Sequence, residues 1–492
     1  MRAKCAFLWH ISLNVRQHKM TIIGRDKEIR DLKYCYESEK SEFVAVYGRR
    51  RVGKTFLVRE LFEPEFFFYA TGILNGDRQA QLASWNREIL RYGGDGIPEA
   101  GNWVEAFVNL NKLVARTSDK GKKVIFLDEI PWMATMRSDF LAGLDYFWNR
   151  WASARKDILL IICGSATSWI TDNIVNNRGG LHNRLTRQIL VDPFNLRECR
   201  QYYESRRIPL THFQMAEAYM IFGGVPYYMS LMEPHLSLYQ NVDKIYFAEA
   251  SDLRNEFTNL YQSLFKNADS YVRVIETLAK KGIGMTRGDI AFELKISDGG
   301  RLTKILQDLS ESRFIRKYIA YGNRKKESLY QLTDFFSLFD IRFRGWRESY
   351  STDYWLRFSS TTAYSIWSGV SFEKLCLLHL PQIRKKLGIS GVLTAAYSWR
   401  GINEDAGAQI DLVIDRGDNV INLCEAKFSS APYTLTKSDS ESLRNKRAAF
   451  VYSTHTRKAA VTTMITTFGL KKNMYSAEIT SEVTLDDLFE PV

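Results

Sequence analysis

The chain has 492 residues and a net charge of +12, and 45% of its residues are hydrophobic, which excludes a disordered chain and allows several folded cores. Its six cysteines are scattered singly, so they indicate neither a disulfide framework nor a cysteine zinc site, and a reducing cytoplasm fits best. No segment approaches the ~18 apolar residues of a membrane span, and the positive charge favours a polyanionic partner.

Residues 1–19 are predicted to be an extension of the folded chain. They contain a short apolar piece around Phe7 but no small-residue cleavage site, and charge returns at Arg16 and Lys19. We therefore expect Met20 to be the native start.

Over residues 20–193, apolar runs alternate with amphipathic stretches, which predicts an α/β domain with helices covering a parallel sheet. The predicted strands are 43–47, 66–69, 124–127, 158–162 and 188–191. The first strand leads directly into a glycine-rich loop.

This loop has the sequence of a phosphate-binding (Walker A) loop. Glycines at both ends let its backbone N–H groups point at phosphate oxygens, Lys54 would reach the β- and γ-phosphates, and the Thr55 hydroxyl would sit on Mg²⁺. The pattern predicts ATP and Mg²⁺ as ligands. The loop consists of Gly48, Arg49, Arg50, Arg51, Val52, Gly53, Lys54 and Thr55.

A later apolar strand ends in Asp128 and Glu129, the pattern of a Walker B motif. Such a strand end places Asp128 beside the Mg²⁺ shell and Glu129 where it can orient and deprotonate the attacking water. Together the two motifs predict ATP hydrolysis.

Three further residues have two interpretations each. Ser165 could hydrogen-bond the attacking water or the γ-phosphate, or it could simply cap the next helix. Arg184 and Arg187 precede a strand, and either could act as an arginine finger towards a neighbouring subunit of a homo-oligomer or be a surface arginine.

These motifs, with Gly24-Arg25 before the loop and the turn Gly223-Gly224-Val225-Pro226, resemble the archaeal-type ATPase family over roughly residues 20–265. That family belongs to the AAA+/STAND-like branch of the P-loop ASCE ATPases. The resemblance implies that Gly24 and Arg25 line one side of the adenine pocket, and that Pro226 approaches the base or ribose from a helical lid, residues 194–267. By composition alone, the Pro226 turn is an ordinary helix-breaking turn.

Residues 268–335 are predicted to be a winged helix, because three short helical patterns are followed by two strand-like stretches around a basic turn. Residues 299–326 carry eight basic and two acidic residues, half of the net charge. The third helix would enter a DNA major groove and the wing would contact phosphates. The alternative is a protein-packing module with a solvated basic face. The candidate DNA-binding residues are Arg301, Lys304, Arg324, Lys325 and Lys326.

Large aromatic residues then recur at helical spacing from Phe335 to Trp346. They could stack unpaired bases, but we favour a connecting helix, placed within residues 336–362, that buries its apolar face.

Residues 363–492 form another predicted α/β domain. Two strand patterns carry Asp411 and Glu425 and are joined by a short turn, so a hairpin would bring the two carboxylates together. Lys427 would project from the same face as Glu425. Two carboxylates can bind Mg²⁺ or Mn²⁺ while the lysine activates a water, as phosphodiester hydrolysis requires.

Residues 365–455 resemble the PD-(D/E)xK nuclease superfamily in the order of their elements. A helix with Glu373 is followed by a strand with Asp411 and a strand with Glu425-x-Lys427. The resemblance implies that Glu373 is a third metal-site carboxylate. A solvated acidic strand end is the plain alternative.

The favoured interpretation is a cytoplasmic ATPase whose nucleotide state controls DNA binding and a metal-dependent nuclease-like domain. The alternative is an ATP-dependent regulatory switch whose C-terminal domain is a non-catalytic interaction module.

Overall fold

The computed structural model describes residues 22–117, 121–135, 138–165, 167–176, 181, 183–323, 327–347, 353–401 and 408–492. The predicted extension, Met20 and the wing residues Arg324, Lys325 and Lys326 lie outside these ranges. The chain divides into two compact units. The first holds residues up to 46, 53–164 and 178–189, and the second holds 47–52, 165–177 and 190–492.

The first unit is built on a five-stranded sheet in the order β2-β3-β4-β1-β5, and β3 pairs in parallel with both β2 and β4. Every residue of β3 and β4 is buried, as expected for parallel strands with helices on both faces. The strands are β1 Glu42–Tyr47, β2 Phe66–Thr71, β3 Lys123–Asp128, β4 Ile158–Gly164 and β5 Arg187–Leu190. The predicted α/β class and all five predicted strands are confirmed.

Helices connect these strands along the chain. The helices of the first unit are α1 Asp26–Glu37, α2 Lys54–Phe62, α3 Arg78–Arg91, α4 Trp103–Ala115, α5 Ile130–Met133 and α6 Phe140–Arg150, and α7 Thr167–Ile170 follows in the second unit. Side chains of Asp77 and Asn102 accept from backbone N–H groups at the starts of α3 and α4, which satisfies donors that a helix leaves unpaired.

The second unit begins with the predicted lid, which is helical as expected. Its helices are α8 Leu196–Ser205, α9 His212–Phe222, α10 Pro226–Ser230, α11 Leu238–Val242 and α12 Glu256–Leu264. α9 ends at Gly223, whose φ of 68° is left-handed, and Pro226 starts α10, so the glycines and the proline mark the predicted break. These helices belong to the second unit.

A three-helix segment, residues 268–332, comes next. It contains α13 Ala268–Lys280, α14 Arg287–Leu294 and α15 Gly300–Glu311, with the short strands β6 Met285–Thr286, β7 Ile315–Tyr318 and β8 Leu329–Leu332. The strands form an antiparallel sheet in the order β6-β8-β7. Three helices and a β7–β8 pairing agree with the predicted order of elements.

The aromatic stripe belongs to a short buried helix, α16 Phe335–Phe343. Phe335, Phe339 and Phe343 are buried, while Trp346 is 52% exposed. The favoured interpretation of a packed helix is therefore confirmed for these three rings. The helix ends at Phe343 and passes into a 3₁₀ turn at Arg344–Trp346, and a short helix, α17 Tyr354–Phe358, follows further along the predicted linker.

The C-terminal region, residues 362–492, is a second α/β layer. Its elements are α18 Thr362–Leu378, α19 Leu380–Lys386, β9 Thr394–Arg400, β10 Gln409–Arg416, β11 Val420–Lys427, α20 Lys437–Thr454, β12 Ala459–Thr466 and β13 Ser481–Thr484. The sheet order is β13-β12-β11-β10-β9, with β10 antiparallel to β9 and β11 and with β12 parallel to β11 and β13. Its core includes Trp399, Val413 and Phe450, against which Tyr321 of the three-helix segment packs. Across the described residues, no helix is long and apolar enough to span a membrane.

Candidate functional site

In the first unit, Thr55 and Asp128 meet at the end of β3. Thr55 lies in the first turn of α2, and its Oγ1 donates to Asp128 Oδ2 at 2.9 Å. The other carboxylate oxygen, Oδ1, accepts the N–H of Glu129 at 2.9 Å. Asp128 and Lys54 are only 4% and 5% exposed. The side chains of Asp128 and Lys54 are therefore largely shielded from water.

The geometry of the Thr55–Asp128 pair fits Mg²⁺. A hydroxyl and a carboxylate are hard oxygen ligands of the type that Mg²⁺ takes from proteins, and here they already lie within hydrogen-bond distance of each other. Two protein ligands leave room for phosphate oxygens and waters, which complete the shell in sites of this kind.

Glu129 adopts an uncommon backbone conformation immediately after the strand. Its φ of 48° is left-handed, a region that non-glycine residues rarely occupy. Gly72, at the end of β2, approaches it closely: the Gly72 N–H donates to the Asp128 carbonyl at 3.0 Å, and a Cβ at Gly72 would lie 2.5 Å from the Glu129 carbonyl oxygen. The chain thus requires glycine at 72 to keep the Asp128–Glu129 backbone in place.

Residues 48–52 of the loop belong to the second unit. Gly48 has a φ of 146°, and a Cβ there would lie 2.3 Å from the carbonyl oxygen of Val191. The Val191 N–H donates to the Tyr47 carbonyl at 2.7 Å. Only glycine allows this approach of two backbones.

Arg49 points into the protein rather than towards solvent. It is 3% exposed, forms an ion pair with Asp334 at the start of α16, and its guanidinium carbon lies 4.9 Å from the centroid of the Phe314 ring. Asp334 also accepts from the Ser337 backbone at 2.8 Å, so it caps α16. The pair connects the phosphate loop with the start of that helix.

Arg51 makes a second connection of this kind. Its Nη1 lies 2.8 Å from Glu256 Oε2, and its guanidinium carbon is 4.0 Å from the ring centroid of Tyr227. The other Glu256 oxygen accepts from Tyr228 at 2.8 Å. The loop arginine is therefore bound to the predicted lid at both α10 and α12.

The predicted lid turn depends on Gly224. Its φ is 65°, and a Cβ there would lie 2.2 Å from the carbonyl oxygen of Phe194, while the Phe194 N–H donates to the Gly224 carbonyl at 2.8 Å. Pro226 stands directly before Tyr227 and Tyr228, the residues that contact Arg51 and Glu256. The turn thus positions the contacts of the lid with the loop.

The remaining predicted nucleotide-site residues lie at four places in the chain. Gly24 and Arg25 have φ values of 60° and 63° and precede α1. In the loop, Arg50 is half-buried and Val52 is buried. Ser165 is buried and directly follows β4, whereas Arg184 is exposed near β5. Arg187 lies 3.8 Å from Asp31 and over the Tyr34 ring of α1, so it is bound within its own unit.

The predicted DNA-binding residues of α15 face outwards but have partners. Arg301 donates to Ser270 Oγ at 2.7 Å. Lys304 forms ion pairs with Asp172 and with Asp308, the latter at 2.8 Å. Both side chains are exposed, so both are accessible to a ligand that competes for them.

In the C-terminal region, β10 and β11 form the predicted hairpin. Leu412 lies opposite Cys424, so Asp411 and Glu425 occupy the next positions along the two strands. Glu373 of α18 is close enough to feel both charges: burial, then Asp411 and Glu425, raise the pKa of Glu373 to about 8. The structure therefore places Asp411 and Glu425 at neighbouring positions of the hairpin, and Glu373 within reach of their charge.

Glu425 is held by two lysines. Lys427 Nζ lies 3.0 Å from Oε1, and Lys446 Nζ of α20 lies 2.7 Å from Oε2. Although burial opposes it, these ammonium groups keep the pKa of Glu425 below its ordinary value. The sequence analysis did not identify Lys446, because nothing in the pattern around it marks it.

The carboxylates fit a metal ion only in part. Glu373 and Asp411 supply hard oxygen donors suited to Mg²⁺ or Mn²⁺. However, within the described ranges no three acidic, histidine or cysteine side chains are grouped closely enough to hold a metal. The expectation that Glu373, Asp411 and Glu425 share one ion is thus not supported in this conformation, because both oxygens of Glu425 are occupied by lysine.

The partners of the loop arginines have no signal in the sequence. Asp334 and Glu256 lie more than 200 positions from Arg49 and Arg51, in segments without a recognisable motif. Only their burial next to a cation identifies them.

Known proteins are similar to part of this chain. Residues 22–232 match the family model of an ATPase domain found predominantly in Archaea. An uncharacterized protein of Methanocaldococcus jannaschii is 24% identical over 328 residues, which cover 65% of this chain and 68% of that protein. Among solved structures, a Walker-type ATPase of Pyrococcus abyssi is 16% identical and covers 65% of this chain and 96% of that chain, with a TM-score of 0.48. The ORC2 protein of Aeropyrum pernix is 12% identical and covers 67% and 95%, with a TM-score of 0.39.

The matched residues include the phosphate loop, the Asp128–Glu129 strand end and the glycines of the lid turn. Residues 22–232 are therefore an ATPase domain of the family found predominantly in Archaea.

Proposed function

We propose that this ATPase uses its nucleotide state to control DNA binding by the three-helix segment and a metal-dependent, nuclease-like activity of the C-terminal region. The observation that carries the proposal is the attachment of the phosphate loop, through Arg49 and Arg51, to Asp334 and Glu256. These two acids belong to the same compact unit as the proposed output regions.

The hydrolysis step assigns a role to each loop residue. Backbone N–H groups of residues 48–55 hold the phosphates, Lys54 binds the β- and γ-phosphates, and Glu129 orients and deprotonates the attacking water. Thr55 and Asp128 would hold Mg²⁺, which neutralises phosphate charge when bound.

Other residues complete the proposed nucleotide site. Gly24, Arg25 and Pro226 would contact the adenosine, and Ser165 would bond the water or the γ-phosphate. Arg184, which is exposed, is the better candidate for a finger that reaches a neighbouring subunit, because Arg187 already contacts Asp31.

The proposed coupling follows from the cost of moving a buried charge. Arg49 and Asp334 are both nearly inaccessible to water, and separating such a pair leaves an uncompensated buried charge. If the loop changes shape when ATP binds, Asp334 must therefore move together with Arg49. Asp334 caps α16, and α16 directly follows the three-helix segment.

The proposed cleavage chemistry uses Asp411, Glu425, Lys427 and Glu373. A carboxylate pair can hold the metal that polarises a phosphodiester, and a lysine next to it can position or deprotonate the attacking water. Lys427 lies 3.0 Å from Glu425, which supports this role. For cleavage, Glu425 would have to exchange one lysine for the metal.

The test measures DNA binding and cleavage by the full chain with ATP, with ADP and without nucleotide, in Mg²⁺ or Mn²⁺. Glu256→Gln keeps an acceptor for Tyr228 but removes the charge that binds Arg51. We expect it to retain ATP hydrolysis and to lose most of the DNA response to ATP. Glu249→Gln, at an exposed acid, is the matched control. DNA binding and cleavage that are indifferent to nucleotide in the unmodified protein contradict the proposal.

A regulatory switch without cleavage is the second candidate. It is favoured by one observation: both oxygens of Glu425 are neutralised by Lys427 and Lys446, an arrangement that needs no metal. Under this candidate, Asp411→Ala leaves metal binding and DNA integrity unchanged, whereas Lys54→Ala abolishes function. Under the nuclease proposal, Asp411→Ala abolishes cleavage as well.

A further inference from the structure

A cavity of about 180 Å³ lies within the second unit, where the three-helix segment meets the C-terminal region. Arg316 and Tyr318 of β7 line it from the first of these regions. Glu373, Lys374 and Asp411 line it from the second. The proposed cleavage site thus shares its cavity with a strand of the three-helix segment.

Arg316 and Lys374 are two cations of this cavity, and the guanidinium carbon of Arg316 lies 4.3 Å from the centroid of the Tyr318 ring. Lys374 is 6% exposed, and its Nζ donates to the Gly282 carbonyl at 3.0 Å, which uses one of three ammonium donors. Arg316 Nε donates to Gln331 Oε1 at 2.6 Å. In the part of the chain that the structure describes, neither cation forms a direct ion pair with a carboxylate.

Lys374 is buried and Arg316 is half-buried. Cations withdrawn from water without a paired anion are costly, so a cavity lined by these two is suited to an anionic ligand. Glu373 and Asp411 give the same cavity two carboxylates, and Asp411 Oδ1 accepts from Gln409 at 2.6 Å. Such a mixture of charges suits a phosphate group, with the carboxylates available to a divalent cation beside it.

We propose that this cavity binds a phosphate group of a nucleic-acid strand, with Arg316 and Lys374 as its cationic ligands next to Glu373 and Asp411. The proposal rests on the proposed function in taking nucleic acid as the partner. Arg316 then brings the three-helix segment directly into the C-terminal site. A guanidinium suits this role because it can donate two parallel hydrogen bonds to one phosphate.

The test is fluorescence anisotropy of the full chain in EDTA with single-stranded oligonucleotides that carry a 5′-phosphate, a 3′-phosphate or neither. Arg316→Gln is expected to weaken binding by about tenfold or more, because a charged hydrogen-bond donor is lost. The matched control is Lys317→Gln, which removes the same charge from the next residue of β7 on its exposed side; we expect less than about a twofold change.

A second variant distinguishes phosphate binding from a merely structural role. Asp411→Asn can still accept from Gln409 but removes a negative charge beside the phosphate. We expect it to tighten binding in EDTA and to abolish the further tightening that Ca²⁺ produces in the unmodified protein. Should Arg316→Gln fail to fold, as monitored by thermal unfolding, Asp411→Asn and Arg316→Lys decide the question.

If the protein prefers an oligonucleotide with a phosphorylated end, the cavity binds a terminal phosphate. If it binds the three oligonucleotides equally and Arg316→Gln weakens that binding, the cavity binds an internal phosphodiester. Either result supports the proposal. Equal affinities of Arg316→Gln and Lys317→Gln overturn it, as does weaker binding by Asp411→Asn or no binding by the unmodified protein in EDTA. None of these results decides whether ATP controls DNA cleavage in Mg²⁺, which is measured separately.

Discussion

The nucleotide residues of the first unit and those of the second are held in place by different forces. In the first unit, Asp128 at the end of β3 accepts hydrogen bonds from the Thr55 hydroxyl at the start of α2 and from the Glu129 backbone. In the second unit, Arg49 and Arg51 are held by ion pairs with Asp334 and Glu256, far along the chain. The first arrangement follows from a motif, whereas the second depends on how distant helices pack.

This difference suggests a division of labour. Hydrogen bonds at a strand end fix the geometry that hydrolysis needs, and they cost little to maintain because each donor has an adjacent acceptor. Buried ion pairs are more sensitive to displacement. They are suited to reporting what the loop binds, and variants of the two arrangements should therefore behave differently.

The largest effect is expected from breaking the buried pair of the second unit. Asp334→Asn leaves Arg49 buried without a counter-charge and should lower the free energy of unfolding by about 3–5 kcal/mol, measured by urea denaturation followed by circular dichroism. Glu63→Gln, in the exposed Arg59–Glu63 pair, is the control and should cost less than about 0.5 kcal/mol. Equal losses of unfolding free energy in the two variants would show that burial does not make the Arg49–Asp334 pair more important for stability than an exposed pair.

In the first unit, we expect a smaller change in free energy, seen in the activation barrier of ATP hydrolysis rather than in unfolding. Lys54→Ala should lower the rate of ATP hydrolysis by about 10²–10³, or about 2.7–4 kcal/mol, because it removes a cation aimed at the charge of the transition state. Glu129→Gln should retain ATP binding and lose hydrolysis. Phosphate release and nucleotide binding are the measurements, with Lys40→Ala, 72% exposed, as the control. A normal rate of ATP hydrolysis by Lys54→Ala would contradict the role assigned to Lys54.

The smallest effect concerns pH and Glu373. Its pKa is raised to about 8 by burial, Asp411 and Glu425, against the opposing charges of Lys374 and Lys427. The folded protein therefore binds this proton more tightly than the unfolded chain does, and the stabilisation is complete below about pH 4.5 and is lost as the pH rises through 8. Burial lowers the pKa of Lys374 from 10.5 to about 8, so its titration makes stability rise with pH mainly between these two values, above the range in which Glu373 acts.

Glu373→Gln replaces the carboxyl group with an amide of similar shape that stays uncharged at every pH. We expect it to be more stable than the unmodified protein by about 1–3 kcal/mol at pH 8 and equally stable near pH 4.5, in urea denaturation with EDTA present. A stability difference that does not change with pH would rule out this interpretation of Glu373.

The sequence predicted the sheet of the first unit well, because parallel strands buried on both faces produce continuous apolar runs such as 158–162. It also placed the break in the lid and the β10–β11 hairpin, since glycine, proline and turn residues mark such points locally. Within the predicted linker, residues 336–362, the structure has the end of one helix and a second short helix. Helical periodicity shows which residues are buried, but it does not show where a helix ends.

For the candidate sites, motifs identified the residues whose roles depend on close neighbours in sequence. Lys54, Thr55 and Asp128 were predicted in this way. Lys446 and Asp334 were not, because a single lysine or aspartate on a helix has no pattern of its own. Arg316 was counted in the basic stretch, but its place in a cavity with Asp411 could not be predicted from charge.

The sequence by itself determined that this chain has a phosphate loop, an acidic strand end and a strand hairpin with Asp411, Glu425 and Lys427, because local backbone geometry and residue chemistry suffice for each. Only the tertiary structure decided which charges are buried together: Arg49 with Asp334, Arg51 with Glu256, and Arg316 and Lys374 around one cavity. The physical reason is that the cost of burying a charge depends on everything packed around it, and distant segments supply those neighbours only after folding.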